Sequence, residues 1–254
     1  APIALTTATG RENESEATLT YTPTYTAYDT FSEEDNLEHD GSVLLRYVLP
    51  KTITELSAFG TQSQGSDRFI SGLIEKLEYG GAVGFEHELT GKSTVETAAD
   101  AKFSDYDAGT LLDQELYTAE VAFLYDVTAK TSVGPFVGFE QLEIDGGDDH
   151  TGLSAGARID YEITGKTLLS LAVGYENRSY SSDVDDSTDA IVSFEFLTQL
   201  TGKSVIIANI YREVRGSYTA AGEALNATGG ALTLMYVASP KLDLNAGFTF
   251  ENSA

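Results

Sequence analysis

The sequence predicts an all-β chain folded as a transmembrane antiparallel up-and-down β-barrel of about 14 strands, with 13 to 16 as the range. Three observations lead there: a recurring lysine-bearing turn, strict two-residue alternation between the turns, and the length of the alternating segments. The turns are Leu49-Pro50-Lys51-Thr52, Thr90-Gly91-Lys92-Ser93, Thr128-Ala129-Lys130-Thr131, Thr164-Gly165-Lys166-Thr167, Thr201-Gly202-Lys203-Ser204 and Ser239-Pro240-Lys241. Successive lysines lie 41, 38, 36, 37 and 38 residues apart. Two strands of about 11 to 14 residues, one tight turn and one longer loop fill such an interval, so each repeat reads as a β-hairpin.

Between the turns, apolar and polar residues alternate with the period of a strand. Leu153, Ala155, Ala157, Ile159, Tyr161 and Ile163 fall on one face, and Ser154, Gly156, Arg158, Asp160 and Glu162 on the other. The next strand places Leu169, Leu171, Val173 and Tyr175 against Ser170, Ala172, Gly174, Glu176 and Arg178. Tyr117, Val121, Phe123 and Tyr125 oppose Glu120, and Leu242, Leu244, Phe248 and Phe250 oppose Asp243, Asn245, Gly247 and Thr249. A soluble sandwich also alternates, but its strands run to about 5 or 6 residues. Strands of about 10 residues, tilted by about 45°, match a bilayer core.

In chain order, two strands precede Lys51, two fill each of the five intervals, and one follows Lys241. A strand over Ile3 to Thr9, joined to Thr18 through the turn Gly10 to Ala17, brings the count to 14 and lets the first and last strands run antiparallel. In the other reading a final strand lies beyond the given sequence, for 14 or 16. Residues 1–254 form a single barrel domain in either case. The segment Ser66 to Leu77 breaks the alternation: Phe69, Ile70, Leu73, Ile74 and Leu77 recur at helical spacing behind the capping residues Ser66 and Asp67. It reads either as a short helix folded inward from a loop or as extended strand above the membrane.

Composition narrows the function. Forty Asp and Glu against 15 Lys and Arg give a net charge of −25, which repels nucleic acid. There are no cysteines, hence no disulfide, thiol nucleophile or cysteine metal site. No run of 18 apolar residues exists, which bears on helices and not on strands. The chain begins at Ala1-Pro2 without a charged-then-apolar leader, so a secretory signal, if there was one, has been removed.

The hairpin ends opposite the lysine turns carry acidic segments: Ser32 to Asp40, Ser104 to Glu115, Asp145 to His150 and Ser181 to Asp189. Short turns toward the periplasm and longer loops outward are the usual arrangement of outer-membrane barrels. Tyr21, Tyr47, Tyr125, Tyr161 and Tyr175 lie on the apolar face near strand ends, suited to an interfacial girdle.

The run Tyr47-Val48-Leu49-Pro50-Lys51-Thr52, with the Leu19-Thr20-Tyr21-Thr22-Pro23 strand and its acidic loop, resembles the β-barrel porin family associated with exopolysaccharide loci (beta-barrel porin 2 type). That family repeats a Tyr-x-Leu-Ser-Pro-Lys/Arg-Thr turn between paired strands, and the resemblance covers nearly the whole chain. Most copies here have Gly or Ala where the family favours Pro. The resemblance implies an outer-membrane barrel with a porin-like role.

Enzyme and metal chemistry find little footing. Asp145-Gly146-Gly147-Asp148-Asp149-His150 and Asp183-Val184-Asp185-Asp186 offer hard oxygen ligands but lack the full calcium-loop pattern, and read as solvated loops. His39, His87 and His150 fall on separate hairpins without zinc spacing, His87 on the lipid face, and no G-x-S-x-G motif is present. The expectation is therefore no enzyme, no catalytic or metal residue and no cofactor. What remains is a channel in the bacterial outer membrane for passive diffusion of small polar solutes or ions, with cations preferred. Its expected pore-lining residues are Arg46, Glu86, Lys102, Glu120, Glu140, Arg158, Asp160, Glu162, Arg178 and Glu195. The alternative is a non-conducting scaffold, adhesin or exopolysaccharide-export accessory. Expected partners are the lipid bilayer, lipopolysaccharide and the solutes themselves, with homo-oligomerisation left open.

Overall fold

A computed structural model of the chain describes residues 5–9, 15–26, 36–66, 73–107, 112–181, 186–216, 224–239 and 242–253. Fourteen strands follow one another in a single sheet: β1 (Leu5–Thr9), β2 (Glu16–Thr26), β3 (Asn36–Leu49), β4 (Thr52–Ser66), β5 (Leu73–Thr90), β6 (Ser93–Tyr106), β7 (Gln114–Thr128), β8 (Thr131–Ile144), β9 (His150–Thr164), β10 (Thr167–Tyr180), β11 (Ser187–Thr201), β12 (Ser204–Gly216), β13 (Ala224–Ser239) and β14 (Leu242–Ser253). Each pairs antiparallel with its sequence neighbours, the up-and-down order that the lysine spacing implies. Among the described residues no ladder joins β1 to β14 and no helix is present.

The lysine turns have a common construction that explains their sequence. In four of them the threonine hydroxyl accepts the amide of the lysine two residues on: Lys92 to Thr90 at 3.2 Å, Lys130 to Thr128 at 3.1 Å, Lys166 to Thr164 at 3.2 Å and Lys203 to Thr201 at 3.1 Å. The Ser or Thr that follows closes the turn through hydroxyl contacts, Thr128 to Thr131 at 3.0 Å and Thr201 to Ser204 at 2.5 Å. Just before each turn one residue is left out of the ladder as a bulge: Leu89, Val127, Ile163, Leu200 and Ala238. The first turn differs, because Pro50 presets its own φ and Leu49 pairs directly with Thr52. The lysine carbonyl of each turn then accepts an amide from the next hairpin: Lys51 from Glu88, Lys92 from Asp126, Lys130 from Glu162, Lys166 from Gln199 and Lys203 from Val237, all at 2.8 to 2.9 Å. A chain of turn-to-turn bonds thus runs along one end of the sheet.

The convex face is apolar. Leu153, Ile159, Tyr161 and Ile163 on β9 are exposed, as are Val121, Phe123 and Tyr125 on β7 and Val137 and Phe139 on β8. All five girdle tyrosines are exposed, Tyr175 at 68%. In water so broad an apolar face would aggregate, whereas in lipid it is solvated. Close strand contact needs glycine at particular points. A Cβ on Gly134 would lie 1.6 Å from the Phe123 carbonyl oxygen, beside Pro135, whose missing amide interrupts the β7–β8 ladder between Ala122 and Tyr125. Phe136 lies flat over its ladder partner Gly156, where a Cβ would meet the ring at 2.6 Å.

One expectation changes, and of the two readings of Ser66 to Leu77 the extended one holds at both ends: Ser66 closes β4 and Leu73 to Leu77 open β5, paired with β4 from Ser66↔Leu73 to Gln62↔Leu77. Ladder pairing between β4 and β5 satisfies backbone groups along this stretch, which outweighs a helical spacing of side chains. Residues 67–72 lie outside the described residues. The expectation that changes is the extent of the acidic loops, which are shorter than the composition suggests, because Asn36 to Asp40 belong to β3, Ser104 to Tyr106 to β6 and Ser187 to Asp189 to β11.

Candidate functional site: the inward face

Residues opposite one another in an antiparallel ladder point to the same side, so the parity that turns Phe123 and Ile159 outward turns Glu120, Arg158, Asp160 and Glu162 inward. The sheet curls far enough for β6 and β9 to touch across the concave face. The Arg158 Nη2 donates to Glu96 Oε2 at 2.6 Å and its Nε to Asp160 Oδ2 at 2.9 Å. Between those strands, on β7 and β8, the register places Ala122 opposite Glu96 and Gly134 opposite Arg158. The two small residues leave the guanidinium its path, and Ala122 is left 2% exposed beneath it.

Several cavities follow one another along the inward face. One of about 300 Å³ is lined by Arg46, Glu55, Glu86, Glu96, Glu120 and Arg158, with Arg46 Nε 3.1 Å from Glu55. A second, toward the lysine turns, has about 650 Å³ and carries Glu120, Asp126, Lys130, Arg158, Asp160, Glu162 and Glu195. The largest, about 780 Å³, brings Lys76, Lys102 and Arg212 together with Glu120, Glu140 and Glu176, and adds the rings of Tyr106, Phe136 and Tyr211. At the loop end a further space of about 410 Å³ is bordered by Asp105, Asp113, Glu115, Glu143, Asp145 and Asp149; Glu115 and Glu143 share the outward parity of Tyr117 and Phe139, so it lies at the rim and not on the inward face. A small space of about 160 Å³ lies against Glu120, Glu140 and Glu176. Glu120 therefore borders four of these five spaces. Among the described residues no Lys, Arg or His nitrogen comes within 4.0 Å of its carboxylate.

Near the loop end the inward face holds a buried charge cluster. Arg178, 1% exposed, donates through Nε to Glu176 Oε1 at 2.5 Å and through Nη2 to Glu140 Oε1 at 3.0 Å. His150 Nε2 stands 3.1 Å from the same Glu140 oxygen. Gly152 lies between Glu140 and Arg178 in the register, and a Cβ there would come 2.9 Å from the Glu176 carboxylate. The glycine is what lets the side chains meet. Lys76 bonds Glu78, and Lys102 Nζ lies 3.9 Å from the same carboxylate.

All ten residues expected to line a pore thus sit on the inward parity. Nine of them border the cavities, and Arg178 is packed behind Glu140 and Glu176. Sequence reasoning passed over Glu55, Glu96, Asp126, Glu176, Lys76 and Arg212. Glu96 and Lys102 share one parity on β6, and Glu176 and Arg178 share one on β10, so alternation already contained both signals. Lys76 was hidden by the helix reading. The inward face is also less uniformly polar than expected, since Leu124, Phe136, Leu142 and Ile144 are buried against it.

Elsewhere the candidate chemistry stays dispersed. The ring of His39 meets the Tyr21 hydroxyl at 2.7 Å, and that of His87 meets Thr52 at 2.9 Å beside Phe85 on the outer face. Among the described residues no group of three His, Asp or Glu could hold a metal ion. Asp149 instead accepts the Ile144 amide at 2.9 Å, capping its own turn. Asp183 to Asp185 lie outside the described residues.

Neither a family model nor a curated protein matches the sequence. Solved structures do. The FrpB iron transporter from Neisseria meningitidis aligns with a TM-score of 0.54 at 11% identity, over 99% of this chain and 52% of that one. A mutant of the ferric enterobactin receptor PfeA from Pseudomonas aeruginosa gives 0.55 at 10% identity, over 99% and 50%. The copper transporter OprC gives 0.53 at 11% identity, over 98% and 51%. The fold is that of an outer-membrane β-barrel. A chain with this fold and this apolar outer face belongs in a bacterial outer membrane. It spans about half the length of the structures it matches.

Proposed function

We propose that the inward face of this barrel forms a passive path for small polar solutes or ions and prefers cations. The observation that carries the reading is the acid excess along two of the cavities, the largest being balanced with Lys76, Lys102 and Arg212 against Glu120, Glu140 and Glu176. Glu55, Glu86, Glu96 and Glu120 stand against Arg46 and Arg158 in one, and Glu120, Asp126, Asp160, Glu162 and Glu195 against Lys130 and Arg158 in the next. Negative walls of low polarisability concentrate cations over about a Debye length, near 10 Å at 0.1 M salt. The transporters and receptor with similar folds support a role in moving solutes, without indicating which.

The bridge from Arg158 to Glu96 favours the rival reading of a non-conducting scaffold, because it lies across the inward face. Recording purified protein in planar bilayers separates the two. Stable ion-conducting steps are expected for the channel, and a folded barrel that stays silent would support the scaffold. In this scheme Glu120 is the waypoint of the path, an acid bordering four cavities with no basic nitrogen within 4.0 Å among the described residues.

A further inference from the structure

Of the eight lysines of the chain, five lie in described hairpin turns at one end of the sheet, Lys241 lies outside the described residues, and the other two, Lys76 and Lys102, belong to the inward face near the opposite end. In a protein of net charge −25 this segregation calls for a partner. The five described turn lysines, Lys51, Lys92, Lys130, Lys166 and Lys203, are exposed. Their backbones are fixed by the turn-to-turn hydrogen bonds, so the ammonium groups are presented as a row, with successive members two strand spacings, about 10 Å, apart. Lys51 lies 3.8 Å from Glu88, and Lys130 reaches the Ile163 carbonyl at 3.5 Å. Among the described residues Lys92, Lys166 and Lys203 have no carboxylate within 4.0 Å.

The bulged residues add the second half of the surface. Leu89, Val127, Ile163 and Leu200 each precede a turn lysine by three residues and are 40 to 57% exposed. Three residues of strand span about 10 Å, so every ammonium stands just past the end of the apolar face, where a bilayer changes from chains to headgroups. We propose that this lysine collar binds the phosphates of anionic phospholipids, with the bulged side chains seated among their acyl chains. Phosphatidylglycerol has the required chemistry, a single unneutralised phosphate above a hydrocarbon tail. The collar would meet it in the leaflet facing the periplasm, where short barrel turns lie. The inference does not depend on conduction.

The test measures bound lipid after full-length protein is folded in mixed micelles of phosphatidylglycerol, phosphatidylcholine and lipid A and purified. The wild type should retain phosphatidylglycerol in preference, by about fivefold per engaged lysine at low salt, equivalent to about 1 kcal/mol. The variant K92Q/K166Q/K203Q should lose that preference, and K76Q/K102Q should keep it. Heat-modifiable gel migration confirms that each variant is folded. Equal preference in the wild type and the triple variant would overturn the proposal. Retention of lipid A phosphates in place of phosphatidylglycerol would overturn the choice of leaflet and lipid.

Discussion

Arg178 is the residue whose environment constrains it most. A guanidinium 1% exposed must be matched by its carboxylates, and removing one partner of a buried pair costs about 3 to 5 kcal/mol, because the other charge is left stranded. Arg178→Met should therefore lower the temperature at which the barrel loses its compact gel migration. Arg178→Met combined with Glu176→Gln should recover part of the loss. If the single and double variants behave alike, Glu176 is not the partner that matters. The lipid and lumen faces differ in the same way for a new charge. Arg at Phe123 should impair assembly, since a lipid-facing Arg at mid-membrane costs about 2 to 4 kcal/mol, whereas Arg at Ala172, which borders two cavities, should be tolerated. Folding yield into vesicles measures both. Parity alone would treat Ala122 as equivalent to Ala172. The structure distinguishes them, because Ala122 underlies the bridge from Arg158 to Glu96 and is 2% exposed. Such cross-sheet packing joins residues 62 positions apart, which no local pattern reveals.

The hairpin is the element that the sequence displays most openly. Lysine spacing gave the turns and alternation gave the faces, so the up-and-down order and the side of each expected lumen residue were legible before any coordinates. What alternation could not mark was where pairing stops. Asn36 to Asp40 and Leu73 to Leu77 are acidic or helix-spaced in sequence, yet they continue their strands because the neighbouring strand is there to bond them. The turns themselves invite a simple experiment. In Thr164-Gly165-Lys166-Thr167 the Thr164 hydroxyl accepts the Lys166 amide at 3.2 Å. Thr164→Val keeps the shape and removes the acceptor, with an expected loss of about 1 kcal/mol in urea unfolding from lipid. Thr151→Val, at an exposed position on the same strand, should change stability by less than that. Equal losses would mean that the hydroxyl contributes nothing particular to the turn.

At the scale of the whole molecule, charge is sorted along the axis and across the wall: carboxylates at the loop mouth and along the inward face, lysines at the turns, apolar residues outside. The central claim is that this sorting makes the inward path select cations, and the reversal potential across a salt gradient in planar bilayers tests it most directly. At low salt the sign should indicate cation preference. Glu120→Gln should move the potential toward zero, and 1 M salt, where screening shortens the range to about 3 Å, should shrink it in the wild type. Anion preference at low salt would contradict the account, because it would mean that Arg46 and Arg158 outweigh the surrounding acids at the narrowest point of the path.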